Sequence, residues 1–268
     1  MARFELAGRT ALVTGGGSGI GRGIALALAG RGVRVALAGR RQSPLAEVAA
    51  AIQAAGGEAV ALPADLSRSA ERAALLERVG AALGPLDILV NNAGLLAGGE
   101  LARLAPEQIE AALAVNLLAP MLLARQCLDE LARRRGAIVL VGSMMSLVPI
   151  PAAPLYSATK AGLYAFGESL RYELRPRGIH LLTALPPGTA TAMTAAMASR
   201  APRPSRLADP GRLGERIVAA LADRRERVQW GAGELALTWL YRWAPGLARP
   251  LLGRSRAIWA RMLNEPDE

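Results

Sequence analysis

The segment Thr14-Gly15-Gly16-Gly17-Ser18-Gly19-Ile20-Gly21 constrains this chain more than any other. It lies between an apolar run, Thr10–Thr14, and an apolar helix-like stretch, Ile24–Ala29, so the backbone must turn tightly from a buried strand into a buried helix. Glycine permits such a turn and lets a ligand come close to the main chain. The start of the helix offers unpaired N–H groups and the positive end of its dipole, a combination that suits phosphate. The segment therefore reads as a cradle for a dinucleotide pyrophosphate, with Gly15, Ser18, Gly19, Ile20 and Gly21 as contacts. Its spacing departs from the G-x-G-x-x-G form, and a glycine turn by itself is also compatible with being only a turn.

The same alternation of short apolar runs with longer amphipathic stretches continues through Val33–Ala38, Ala59–Leu62, Leu86–Val90, Ala137–Val141 and His180–Leu185. Six strands joined by helical crossovers predict an α/β fold, a Rossmann-like doubly wound parallel sheet with helices on both faces. Ligands should then bind at the carboxyl ends of the strands. The 268 residues fit one large domain, and 52% hydrophobic with 20% charged residues excludes a disordered chain. This predicts one domain over residues 1–227 and a helical appendage over 228–268. The appendage holds all four tryptophans, Trp230, Trp239, Trp243 and Trp259, among several arginines. Pro245 and Pro250 are expected to break it into short helices.

Arg40 and Arg41 stand at the end of the second strand, where an NAD-preferring site would carry an acid for the ribose 2′-hydroxyl. An arginine fork suits a 2′-phosphate, so NADP (NADPH) is the expected cofactor and Arg40 its contact. The formal net charge of +10 is otherwise read as solvated arginine. Cys127 is the only cysteine, so no internal disulfide exists and a reducing, cytoplasmic setting is the simpler expectation. The N-terminus carries no secretory pattern, and Pro149, Pro151 and Pro154 interrupt the uncharged stretch that leads to Lys160.

Tyr156 and Lys160, four residues apart at the start of a long helix, share one face. A phenol titrates near 10, and an adjacent ammonium is expected to lower that value and make Tyr156 a proton donor and acceptor at neutral pH. Lys160 is also the only lysine; every other basic residue among the 32 is arginine. A single lysine at this position favours a chemical role over a surface one.

With these motifs in order, the chain resembles the short-chain dehydrogenase/reductase family from about residue 7 to 224. The matching pieces are the glycine turn, Asp65 with Leu66, Asn91-Asn92-Ala93-Gly94, Asn116, Ser143, the Tyr156/Lys160 pair, and Pro187-Gly188-Thr189 with Thr191. The resemblance implies an oxidoreductase acting on CH–OH or C=O groups. It implies that Asp65 contacts adenine beside Leu66, and that Asn92, Ala93 and Gly94 support the cofactor and the central strand. Pro187, Gly188 and Thr189 would hold the nicotinamide end. Ser143 would bind the substrate carbonyl, Tyr156 would move the proton, Lys160 would hold the nicotinamide ribose, and Asn116 would help hold a relaying water. A homo-oligomer, dimer or tetramer, is also implied. The family's usual last strand and Asp-Gly-Gly turn are not recognisable after Arg227, which removes support for the tetramer.

An apolar, lipid-like or steroid-like small molecule is the expected substrate, because Met144, Met145, Leu147, Val148 and Ile150 follow Ser143. The tail permits packing, a lid over the cleft, or peripheral membrane contact. His180 is expected to be a satisfied structural residue and Cys127 a core filler. No metal site is expected, and Arg133-Arg134-Arg135 suits a helix C-terminus without nucleic-acid binding. The alternative function is a catalytically silent nucleotide-binding scaffold or sensor.

Overall fold

The computed structural model describes residues 3–201 and 207–263. Strands β1 (Thr10–Thr14), β2 (Arg34–Gly39), β3 (Ala59–Pro63), β4 (Ile88–Asn91), β5 (Ala137–Val141), β6 (His180–Leu185) and β7 (Arg227–Gln229) form one sheet in the order β3-β2-β1-β4-β5-β6-β7. Every neighbouring pair is parallel. The chain runs outward from β1 to β3, then returns to place β4 on β1's other side. That reversal opens a crevice at the carboxyl ends of β1 and β4.

Alternation along the strands sends side chains to two cores. Ala11, Val13, Val35, Leu37, Ile88 and Val90 face α1 (Gly19–Ala29), α2 (Gln42–Ala54) and α8 (Pro210–Ala222). Leu12, Ala36, Leu89, Ile138 and Leu140 face α3 (Ser69–Leu83), α5 (Ala119–Arg134) and α6 (Pro154–Leu174). The doubly wound α/β sheet expected from the sequence is the observed architecture. Helices α1 and α8 cross in backbone contact: a Cβ on Gly214 would fall 2.2 Å from the carbonyl carbon of Gly23. At the amino ends of the strands, buried Asp87 accepts from Arg9 Nη1 at 3.1 Å, Arg134 Nε at 3.0 Å and the Thr10 N–H at 3.0 Å.

Helix α4 (Pro106–Leu113) runs through a π-helical turn, Ala114–Leu118, into α5. This 29-residue stretch is long and apolar enough to cross a membrane by composition. Ala119, Leu123, Cys127 and Leu131 are packed in the core. Cys127 is buried, and burial pushes its thiol up to about 12.

Three expectations are corrected. The sheet has a seventh strand, β7, which starts at Arg227 and crosses the boundary drawn between domain and tail. Its three residues are too short to carry a strand-length apolar pattern, which is why the sequence hides it. Pro250 does not break the tail, because it lies inside α10 (Pro245–Arg254). The breaks fall at Ala244 and Ser255, on either side of α10, separating it from α9 (Ala232–Trp243) and α11 (Arg256–Leu263). His180 packs at the start of β6, away from the crevice, and burial pushes its pKa down to about 4, but its Nε2 has no hydrogen-bond partner.

Candidate active site

The crevice begins at the glycine turn. Gly15 and Gly19 have φ of +66° and +52°, values glycine adopts without strain. A Cβ on Gly21 would lie 2.2 Å from the carbonyl oxygen of Gly15, so Gly21 lets α1 pack onto the turn. Ser18 is the N-cap of α1 but its side chain makes no capping hydrogen bond, and the first turn carries no acid. The leading N–H groups of α1 are thereby left for an anion. Thr14 and Asn92 tie the turn to β4. Thr14 Oγ1 donates to Val90 O at 3.1 Å and accepts from the N–H groups of Asn92 and Ala93 at 3.0 and 3.1 Å; Asn92 Nδ2 donates to Thr14 O at 2.9 Å.

Two of the clefts beside this turn hold the candidate residues. One, about 190 Å³, is lined by Gly15, Ser18, Arg40, Arg41, Asp65, Leu66, Ala93 and Gly94 among others. Burial raises the Asp65 pKa, but hydrogen bonds from Ser67 and the charges of Arg40 and Arg68 outweigh it and hold the carboxyl below its ordinary value. Ser67 N–H and Oγ both donate to Asp65 Oδ1, at 2.9 and 2.7 Å. The start of α3 braces this corner: Asp65 N–H donates to Glu71 Oε2 at 2.7 Å, and buried Arg72 donates to Leu66 O at 2.6 Å. Sequence reasoning missed Glu71 and Arg72, which sit in a stretch that reads as an ordinary polar helix face.

The second cleft, about 260 Å³, brings Ile20, Ser143, Tyr156, Lys160, Pro187, Gly188 and Thr189 together, with Met144, Met145, Met193 and Met197 on its wall. The Ser143 hydroxyl favours the ionised form of Tyr156 and accepts from the Met145 N–H at 3.2 Å. Burial raises Tyr156 to about 12, and Lys160, also by burial, falls to about 8. The expectation that Tyr156 titrates below an ordinary phenol is therefore corrected: desolvation outweighs the benefit of the nearby ammonium, and each group is shifted toward its uncharged form. Lys160 Nζ lies 5.8 Å from the Tyr156 ring centroid and donates to Val141 O at 3.1 Å.

Asn116 sits one layer below, in the π-helical turn, and is fully buried. Its Oδ1 accepts from Leu95 N–H at 2.7 Å, and its Nδ2 donates to Leu95 O at 2.9 Å and Thr159 Oγ1 at 3.1 Å. It holds the β4 loop against α6, and π-turns of this kind leave main-chain groups without their regular helical partners. Of the apolar residues after Ser143, Met144 and Met145 line the cleft. Val148 is buried, and Ile150 joins a cluster with Tyr156, Met197, Trp259, Met262 and Leu263. That cluster sets α11 beside the cleft. Leu263 packs on Gly98, where a Cβ would lie 2.7 Å from its Cδ2, and Arg256 donates to Glu100 at 2.7 Å. Trp230 is in the main core under Arg216, so the four tryptophans do not act as one unit.

These residues fit a dinucleotide: bare helix N–H groups at the turn, an arginine and a carboxylate at one end, a buried lysine and a tyrosine at the other. Known proteins agree. A family model for short chain dehydrogenases matches residues 9–201. The ketoacyl reductase HetN of Nostoc sp. is 33% identical over 225 residues, covering 83% of this chain and 78% of that protein. A short chain dehydrogenase/reductase from Burkholderia phymatum, solved in complex with NAD, is similar with a TM-score of 0.83 and 25% identity over 91% of this chain and 96% of that one. A short-chain dehydrogenase from Sphingobium yanoikuyae, in complex with NADPH, is similar with a TM-score of 0.77 and 30% identity over 91% and 95%. The family match spans more than half of the chain, and the glycine turn and the Tyr156/Lys160 pair lie within it. The chain belongs to the short-chain dehydrogenase/reductase family.

Proposed function

We propose that the protein is an NADP-dependent oxidoreductase that moves a hydride between NADP(H) and the carbonyl or hydroxyl carbon of a small apolar substrate. The observation that carries this reading is the single cleft in which Ser143, Tyr156 and Lys160 meet a wall of methionines. Arg40 and Asp65 at the other end of the crevice suit the phosphorylated adenosine half, and Arg40 favours a 2′-phosphate. The NADPH held by the Sphingobium relative and the ketoacyl reductase name of the Nostoc relative point the same way, while the NAD of the Burkholderia relative makes Arg40 the deciding residue.

When bound, the dinucleotide supplies or accepts the hydride. In the reducing direction, Ser143 Oγ orients the substrate carbonyl and the Tyr156 hydroxyl gives its proton to the developing alkoxide. With its pKa raised to about 12, Tyr156 is fully protonated at neutral pH and so begins the step as an acid. The phenolate left behind faces the desolvated Lys160 ammonium, where a low-dielectric setting strengthens their attraction. Gly94 keeps the space between Asn116 and Lys160 clear: a Cβ there would lie 3.4 Å from Asn116 Oδ1 and 3.5 Å from Lys160 Nζ. Asn116 positions Lys160's neighbour Thr159 and the β4 loop.

The test is Tyr156→Phe with NADPH titration and NADPH consumption against apolar ketones and aldehydes. Turnover should fall by at least about a hundredfold, as for loss of a general acid, with cofactor affinity retained. Equal turnover in the variant would remove Tyr156 from the chemistry. A wild-type protein that binds neither NADPH nor NADH would overturn the reading as a whole.

A further inference from the structure

Large apolar side chains left exposed on this molecule concentrate in the tail. Leu235, Trp239 and Trp243 on α9, then Leu247 and Leu251 on α10, repeat every four residues, and Trp239, Trp243 and Leu247 are each about two-thirds exposed, at 64%, 67% and 65%. Residues four apart share a helix face, so each helix carries an apolar stripe directed to solvent. Arg242 lies three residues after Trp239 and Arg254 three after Leu251, on the same faces; the Arg242 guanidinium is 5.7 Å from the Trp243 ring centroid. Residues 230–263 contain five arginines, all exposed, against one acid, Glu234. The acids that follow, Glu265, Asp267 and Glu268, come after Leu263, which is seated on Gly98 beside the cleft.

We propose that the α9–α10 face docks on an anionic lipid surface, with Trp239, Trp243, Leu247 and Leu251 in the headgroup–acyl boundary and Arg242 and Arg254 on the phosphates. Tryptophan and arginine are both suited to that boundary, one by its amphipathic ring and the other by an apolar stem with a charged head. Charge decides between a membrane and a second copy of the chain. A two-fold interface sets a patch against itself, which would bring these arginines against their own equivalents with Glu234 as the tail's one described acid to offset them. Anionic lipid supplies the complementary charge over the whole face. The face is also continuous with the cleft, since α10 contacts α11 and α11 carries Trp259, Met262 and Leu263 into the cluster that includes Tyr156.

The experiment is flotation and sedimentation of the full-length protein with vesicles of phosphatidylcholine alone or mixed with phosphatidylglycerol, at low and high salt. Wild type should bind the anionic vesicles, release in high salt, and show tryptophan quenching by brominated acyl chains. Trp239→Ser/Trp243→Ser and, separately, Arg242→Gln/Arg254→Gln should each lower partitioning by at least about tenfold, with unchanged melting temperature. Wild type that stays in solution with anionic vesicles overturns docking, as does equal binding by both double variants. A wild-type dimer that Trp239→Ser/Trp243→Ser converts to monomer, without vesicle binding, overturns it in favour of a self-interface. None of these readouts depends on turnover, so an active reductase that ignores vesicles refutes the docking alone.

Discussion

Lys160 is a residue that the proposed chemistry requires and the fold would be better without. It is 4% exposed, and burial holds its amine at about 8, against 10.5 for the free side chain. That displacement corresponds to about 3 kcal/mol of disfavoured charge at neutral pH, where the group is protonated in both the folded and unfolded chain. The sign follows from the proton count. Between pH 8 and 10.5 the unfolded chain binds more protons at this site, so the stability withheld by Lys160 at pH 7 returns as pH rises through that window. Lys160→Met keeps an unbranched side chain of similar length and removes the charge. Its cost is the charge-assisted hydrogen bond to Val141 O, about 1.5 kcal/mol at pH 7. The variant should therefore be about 1.5 kcal/mol more stable than wild type at pH 7, or about 3–6 °C higher in Tm for a domain of this size, while losing turnover. At pH 10 the gain should shrink nearly to zero. Tyr156 also titrates in alkali, but it is common to both proteins and cancels in the difference. Urea unfolding without cofactor at both pH values provides the check. A Lys160→Met protein less stable at pH 7, or equally stabilised at pH 7 and 10, would refute the argument that desolvation dominates this amine.

Arg40→Ala should weaken NADPH binding by about 10- to 100-fold, the worth of a charge-assisted hydrogen bond, with little change for NADH; fluorescence titration of both cofactors measures the ratio. Asn116→Ala leaves the Leu95 N–H and C=O and Thr159 Oγ1 without their buried partner, so stability should fall by about 2–4 kcal/mol in urea and turnover should fall with it, whereas a purely catalytic role would spare the unfolding curve. Asp87→Ala strands Arg9 and Arg134 at the opposite end of the strands. Both guanidiniums retain some solvent, so the expected loss is about 2–4 kcal/mol, below the range for a fully buried pair, and NADPH affinity measured on the folded protein should be unchanged.

The parts of the molecule legible in the sequence are those where a local pattern and a global role coincide. β1 must be apolar because it is an interior strand paired on both edges, and its glycine turn must be glycine because Gly15 and Gly19 take positive φ. One short segment therefore announced both the sheet and the crevice. Tyr156 and Lys160 were legible as a pair because four residues on a helix place two side chains together without help from the rest of the fold. Their protonation was not legible. The spacing suggests mutual influence, but the titration of each is set by how much protein closes over it, and that covering comes from β5 at Lys160 and from Ala153, Met197, Met262 and Leu263 at Tyr156. β7 was hidden for a related reason. Three residues, Arg227–Gln229, pair with β6 only because α8 delivers them there, so their strand character belongs to the tertiary structure.

The two halves of the tail differ in the same way. Trp230 and Trp259 bury themselves against the core and the cleft cluster, whereas Trp239 and Trp243 do not, yet nothing in the local composition around the four distinguishes them. The difference arises because β7 anchors Trp230 to the sheet and the Arg256–Glu100 contact draws α11 back over the loop after β4. Helices α9 and α10 are the span between those two anchors, held at both ends and apolar on the outside. A span that served only to connect could be polar throughout at no cost to either anchor. Here it repeats a large apolar residue every four positions, against the solvent and away from the core. An exposed face of that kind lowers solubility unless something covers it, and so the tryptophans that contribute least to the fold are the ones most in need of a partner outside it.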